Sequence, residues 1–361
     1  FEAMPVPGGM LRLGVPEYRL PAEIIEREVQ DIIDLGVDLR LNHRIDDLDA
    51  VFQQGYEAIL ISVGAHEGVR LPIPGANLER VLVNTHFLRD VRLGRYPGPE
   101  SQLGERVLVL GGGDVAFDCA RTAVRLGREV QMACLEQKEH MPGNAWEVTA
   151  AEAEGIVIHP GLTFERILDD GQGGVRGLEC SRVASFSFDE RGRLQVEKVP
   201  DSTQVIACDT IIFSVGQRAG LAFIPDDANV GLTDKQTIAI NPNTLATSRP
   251  GVFAAGDCIS GTAFVIEAVD RGHSAAESIV RFLQGRPLEP PPEPDLPVAH
   301  LPQGELDDRL TRGEIRIQPR VPLPELPVSE RWDNFSEVEG GYDDASAQME
   351  AARCLACGVC S

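Results

Sequence analysis

No run of apolar residues in this 361-residue chain reaches the roughly 18 that a membrane-crossing helix needs. Positive charge is scarce too: 33 Lys and Arg stand against 56 Asp and Glu, a formal net charge of −23. Phosphate-rich partners require clustered cations, so this balance argues against nucleic acid and anionic membrane surfaces. A soluble acidic surface is its plain meaning. No charged-then-apolar leader opens the sequence, and no repeat of solenoid period runs through it. The framework of paired cysteines that marks small secreted domains is missing. Five of the eight cysteines (Cys119, Cys134, Cys180, Cys208, Cys258) are scattered through apolar segments, where single thiols serve as small core residues. The pattern points to the cytoplasm.

Length and a hydrophobic content of 43% allow two or three domains with cores of their own. A helix is expected in PAEIIEREVQDIIDLG, apolar at Ile24, Ile25, Val29, Ile32 and Ile33. Buried strands are expected in YEAILISVGA, which ends at the turn residue Gly64, and in GVFAAGD, which is followed by a helix from about Ala263 to Leu283. The prolines of RPLEPPPEPDLP remove donors and fix φ, so a semi-rigid linker follows. A short helix in DDASAQMEAARCL then delivers the last three cysteines.

The most specific local pattern is RVLVLGGGDVAFDCARTAVRLGREVQMACLE. Val107 to Leu110 form a buried strand, and Gly111, Gly113 and Ala116 follow with G-x-G-x-x-A spacing before a helix from Asp114 to Leu126. Gly111 allows the tight turn, Gly113 lets a pyrophosphate approach the backbone, and Ala116 lets helix and strand pack closely. The helix N-terminus offers free N–H groups and a positive dipole end to phosphates. A second strand ends at Glu136, 20 residues beyond Ala116, the spacing of a ribose-binding carboxylate. A tight βαβ turn without a ligand is the alternative. Glu136 accepts hydrogen bonds from both ribose hydroxyls and repels a 2′-phosphate, which favours NAD over NADP. Arg121, one helical turn into the helix, is a candidate for the pyrophosphate, with an ordinary surface arginine as the alternative.

The segments PGGMLRLGVPEYRLP, AILISVGA, VLVLGGGDVAFDCARTAVRLG, HMPG, IIFSVGQ and GVFAAGDCISGTAFVIEAV, in that order, resemble the glutamate synthase small-subunit family of flavin-dependent pyridine nucleotide oxidoreductases. The resemblance runs from residue 1 to about 285. It implies an α/β fold of two Rossmann-like domains, with the NAD(P) domain (99–215) inserted in a split FAD domain (1–98 and 216–285). A Pro-rich linker (286–330) and an iron–sulfur segment (331–361) complete the expected layout. By resemblance Asp257 binds the FAD ribitol, and Gly256 lets the chain approach the cofactor. Thr262 and Val265 lie at a helix end facing the flavin pyrimidine. Gly9, Leu11 and Arg12 resemble the loop that passes the flavin, Glu2 matches the ribose-binding acid, and Gly64 completes the FAD set. Gly111, Gly113, Asp114, Ala116, Arg121, Glu136 and Gly216 form the NAD set. The family's first glycine loop would precede Phe1, so a segment outside this sequence, or another chain, is expected to supply it. Cys134-Leu135-Glu136 stands where many relatives carry a tyrosine and two arginines, which again favours NAD.

The closing ARCLACGVCS places Cys354, Cys357 and Cys360 in C-x-x-C-x-x-C spacing, the opening of a bacterial ferredoxin pattern. A [4Fe-4S] cluster with a fourth ligand beyond Ser361 is expected. A zinc site is the alternative, but zinc motifs pair two C-x-x-C units and no second unit is present. Cys119 and Cys134 are fifteen residues apart, so the dithiol of a thioredoxin-reductase-type mechanism is missing. His43, His66, His140 and His159 are expected to be surface or packing residues. The sum is an NAD(P)H-dependent FAD and iron–sulfur oxidoreductase without an acid–base dyad. Its expected partners are other subunits or domains of an electron-transfer complex carrying iron–sulfur centres. A true glutamate synthase small subunit, with NADPH-dependent electron entry, and a non-catalytic nucleotide-binding scaffold are the competing readings.

Overall fold

The structure, a computed structural model, describes residues 1–96, 103–189, 194–289 and 302–354. The chain divides into two compact units, one of Phe1–Pro290 with Val328–Ser336 and one of Pro291–Pro327 with Glu337–Ser361.

The first unit begins with helices α1 (Gly9–Leu13), α2 (Ala22–Ile33) and α3 (Leu48–Gln53) and strands β1 (Ile59–Ile61) and β2 (Glu67–Gly68). Strand β3 (Val81–Val83) and helix α4 (Asn84–Arg92) follow. A βαβαβ run comes next: β4 (Arg106–Leu110), α5 (Asp114–Arg125), β5 (Glu129–Ala133), α6 (Ala145–Ala153) and β6 (Val157–His159). Strands β7 (Leu162–Asp169), β8 (Val175–Phe188), β9 (Leu194–Lys198) and β10 (Gln204–Ala207) form an antiparallel sheet. The chain then returns through β11 (Thr210–Phe213), β12 (Gln217–Arg218), β13 (Val252–Ala254), α7 (Asp257–Ser260) and α8 (Val265–Leu283).

The organising feature is a five-stranded parallel sheet in the order β3-β11-β4-β5-β6. Val107 to Leu110 and Ile211 to Phe213 are fully buried. Continuous apolar runs of this kind belong to parallel strands covered on both faces. Ala116, Phe117, Ala120 and Ala123 of α5 pack on one face with Val107 and Val109, while Leu108 and Leu110 meet the antiparallel sheet at Leu162, Ile167 and Leu178 on the other. The edge strand β3 comes from within residues 1–98 and pairs with β11. Val81 and Val83 are apolar and buried, and pair in register with Ile211 and Phe213. Strands β1 and β13 form a separate two-stranded parallel pair over a core that includes Leu48, Ile61 and Cys258. Helix α8 leaves Val265, Ile266 and Val269 exposed, as is its N-cap Phe264.

In the second unit, α9 (Gln303–Thr311) lies within the stretch expected to be a linker. It starts directly after Pro302, where a missing N–H costs nothing, and Glu305 pairs with Arg309 at 2.6 Å one turn on. Helix α10 (Asp344–Ala351) is capped by Asp343, which accepts from the Ser346 amide at 2.7 Å. Among the described residues no helix is long and apolar enough to cross a membrane.

Candidate functional site

Strand β4 delivers the glycine turn to the carboxyl edge of the parallel sheet, where open α/β sheets bind ligands. Gly111 adopts φ 138°, and a β-carbon there would collide with the Ser214 carbonyl oxygen at the end of β11. Gly113 is the N-cap of α5, with open space where its β-carbon would be. Its carbonyl accepts from the Ala116 amide at 2.8 Å, and Ala116 is fully buried against the sheet. No side chain caps α5, so its first amides stay available at the turn. The Glu136 carboxylate closes the far rim: a β-carbon on Gly112 would lie 3.4 Å from its Oε2. These are the residues that the G-x-G-x-x-A spacing and the acid 20 positions on single out.

Asp114 is engaged differently. Its carboxylate accepts from the Asn144 backbone amide at 2.8 Å and from Asn144 Nδ2 at 2.9 Å, fastening the start of α6 beside the turn. The Gly143 amide donates to the Gly112 carbonyl at 2.9 Å, so the MPGN segment forms a second wall. Gly216, at φ 119°, accepts from the Val69 amide at 3.0 Å.

Arg121 does not face the turn. It is buried on the opposite side of α5, where it bonds Glu147 at 2.9 Å and Glu154 at 2.8 Å. Neither a pyrophosphate contact nor a surface position fits it, because two acidic groups from α6 and its end already satisfy its donors. Arg125 pairs with Glu154 at 2.7 Å, Arg331 approaches the same carboxylate at 3.3 Å, and Arg19 reaches Glu147 at 2.6 Å and Asp118 at 2.5 Å. Buried Tyr18 lies beneath Arg125 and Arg121, their guanidinium carbons 4.0 and 5.0 Å from its ring centre. Hydrogen bonds from Arg125 and Arg121 overcome burial and hold the Glu154 carboxyl down at about 2. Burial pushes Asp118 up to about 6. Sequence reasoning missed this network, although the recurrence of acidic and basic residues along α5 and α6 was visible.

The second set gathers around β1 and β13. Gly256 adopts φ 75° and ψ −158°, a conformation for glycine alone, and caps α7. Burial raises the half-buried Asp257 carboxyl, opposed by a hydrogen bond from the Ala263 amide. Gly64, at φ 68°, leaves open space beyond β1. Thr262 and Val265 are exposed at the start of α8. The Glu2 amide donates to the Arg40 carbonyl at 2.9 Å, and its Oε1 accepts from the Met4 amide at 2.8 Å. Gly9 opens α1 at φ 52°, with Leu11 and Arg12 partly buried in the same helix. The Arg12 guanidinium carries two buried nitrogens without a partner among the described residues.

The five scattered cysteines are buried. Burial pushes Cys134 and Cys208 up to about 12 and Cys180 and Cys258 up to about 11. They are core thiols. His159 bonds Gln131 Oε1 at 2.9 Å, a packing role. Cys354 is exposed after α10, whereas Cys357 and Cys360 lie outside the described residues.

Comparison with known proteins identifies this architecture. The sequence profile of the pyridine nucleotide-disulphide oxidoreductase family matches residues 24–272. The chain belongs to that family. It is 38% identical to the NADP(+)-dependent formate dehydrogenase subunit beta of Moorella thermoacetica, over 99% of this chain and 50% of the relative. It is 32% identical to the NADPH-Fe(3+) oxidoreductase subunit beta of Geobacter sulfurreducens, over 99% and 57%. It is 31% identical to the glutamate synthase [NADPH] small chain of Escherichia coli, over 79% and 63%. The chain thus spans about half the length of the first two relatives. FprA from Mycobacterium tuberculosis in complex with NADPH shares the fold, with a TM-score of 0.62 over 78% of this chain at 16% identity. The α/β class with Rossmann-like parallel sheets and the oxidoreductase family are as the sequence led one to expect.

Proposed function

We propose that the chain is the dinucleotide-oxidising part of a flavoprotein electron-transfer enzyme, taking electrons from NADH and passing them through FAD to iron–sulfur centres. The observation that carries this reading is the turn at Gly111–Ala116, open at Gly113 and rimmed by the Glu136 carboxylate. The residues fit a dinucleotide: the pyrophosphate would rest on the uncapped amides of α5, and Glu136 would accept from the adenosine ribose. The names of the similar proteins support an oxidoreductase that works with partner subunits.

The strained Gly256 cap and the half-buried Asp257 suit a ribitol chain, Glu2 a ribose, and the exposed, uncapped start of α8 a flavin ring. Flavin, when bound, takes two electrons together from the nicotinamide and releases them one at a time. The protein's work is placement. Gly64 and Gly256 leave room for the cofactor, and the α8 N-terminus stabilises negative charge near it. No described residue need move a proton in this scheme. Cys354, Cys357 and Cys360 are proposed as ligands of a [4Fe-4S] cluster on their spacing. An iron–sulfur partner subunit or domain would receive the electrons.

Relatives named for NADP(H) and the carboxylate of Glu136 pull in different directions on coenzyme choice. Glu136 lies beside the ribose position and no arginine follows it, so NADH is placed first. Stopped-flow reduction of the flavin in the intact protein should be faster with NADH than with NADPH, and Glu136→Arg should shift the ratio at least about tenfold toward NADPH. A wild-type protein that prefers NADPH overturns the role given to Glu136. A protein reduced by neither coenzyme overturns the function.

A further inference from the structure

Asparagine is among the residues whose side chains most readily cap a helix. Asn144 stands at the N-cap of α6, yet its side chain makes no cap bond. The carboxamide turns to the neighbouring helix instead: Nδ2 donates to Asp114 Oδ2 at 2.9 Å, and the Asn144 backbone amide donates to Asp114 Oδ1 at 2.8 Å. Both oxygens of Asp114 are thereby taken. Asp114 is the acidic residue of the first turn of α5, directly after the N-cap Gly113. A carboxylate at that place is drawn to the positive end of the helix and to its uncapped amides. Those are the groups that a pyrophosphate needs.

The residue before Asn144 acts on the same turn. The Gly143 amide donates to the Gly112 carbonyl at 2.9 Å, and a trans peptide points its carbonyl and its N–H in opposite directions. The Gly113 N–H is therefore turned away from Gly143, and it has no acceptor among the described residues. Glycine permits this approach: a β-carbon on Gly143 would lie 2.9 Å from that carbonyl oxygen and 2.6 Å from the Phe117 ring.

We propose that Asn144 is a positioning residue for the pyrophosphate of the dinucleotide: it holds the Asp114 carboxylate off the α5 amides, so that the turn stays open to an anion from outside. The proposal rests on dinucleotide binding at Gly111–Ala116. It adds a residue 30 positions beyond Asp114, from a different helix, which acts through Asp114 rather than by touching the ligand. A role confined to α6 would be served by the ordinary cap, which this side chain forgoes. Asp114 and Asn144 are both exposed, so solvent screens the competing charge and the effect is modest.

Titration calorimetry of the intact protein with ADP, and with adenosine in competition against it, tests the proposal. Asn144→Ala should weaken ADP about threefold to fivefold and leave adenosine, which carries no phosphate, unchanged. Adding Asp114→Asn to that variant should restore ADP to within about twofold of wild type. The amide oxygen then at 114 still accepts from the backbone amide at 144, and the competing charge is gone. Unchanged ADP affinity in Asn144→Ala overturns the proposal. Equal weakening of ADP and adenosine also overturns it and makes Asn144 a support of the fold alone. ADP binding that stays weak in the double variant overturns it in favour of direct contact between Asn144 and the ligand. A wild-type protein that binds no ADP overturns the dinucleotide reading itself, and this proposal with it.

Discussion

A β-carbon on Gly111 would strike the Ser214 carbonyl, whereas one on Gly113 would meet nothing within 4 Å. The two glycines of one motif therefore answer to different demands: the fold requires the first, whereas the second is free of any such clash and is the one proposed to face a ligand. Gly111 also has φ 138°, outside the range of other residues, while Gly113 has φ −89°, which alanine adopts freely. Gly111→Ala should cost on the order of 2 kcal/mol and lower the melting temperature by several degrees. Gly113→Ala should melt within about 1 °C of wild type, yet bind ADP about tenfold more weakly, because the added methyl occupies the approach to the backbone. Calorimetric scans and ADP titrations of both variants separate these outcomes. Equal stability losses would remove the distinction.

Helix α5 works at both ends. Its start presents amides at the turn, and its later half anchors in the ionic network with Glu147, Glu154, Arg19 and Arg331. Removing one partner from a buried ion network leaves an uncompensated charge, so Glu154→Gln should destabilise the protein by about 3 kcal/mol or more. The pH dependence follows from the depressed Glu154 carboxyl. Its contribution is complete above the ordinary value of 4.5 and is lost as pH falls toward about 2. The gap in melting temperature between wild type and Glu154→Gln should be widest above pH 5, narrow as pH falls below 4.5 and close near pH 2. Asp118, raised to about 6, acts oppositely: stability falls as pH rises from about 4 to about 6. That trend is common to both proteins and cancels in the difference. The turn, its strand and its helix were legible because glycine spacing and apolar runs are local. The orientation of Arg121 was not, since its partners lie 26 and 33 residues away and helical periodicity does not say which charges end up inside.

At the scale of the whole molecule, the Gly111–Ala116 turn and Cys354 belong to separate compact units. Independence of this kind predicts that one function survives loss of the other. In the intact protein, Cys357→Ser should reduce bound iron and stop electron delivery to a one-electron acceptor, while NADH still bleaches the flavin at its normal rate. Iron analysis and anaerobic absorbance spectra check both halves, and unchanged iron content or zinc in its place would sink the cluster assignment. The burial of the five core cysteines has a further consequence. Oxidation and alkylation proceed through the thiolate, and these side chains stay protonated far above physiological pH. The core of the first unit therefore offers oxidants and alkylating agents no thiolate at which sulfenic acids or mixed disulfides could start.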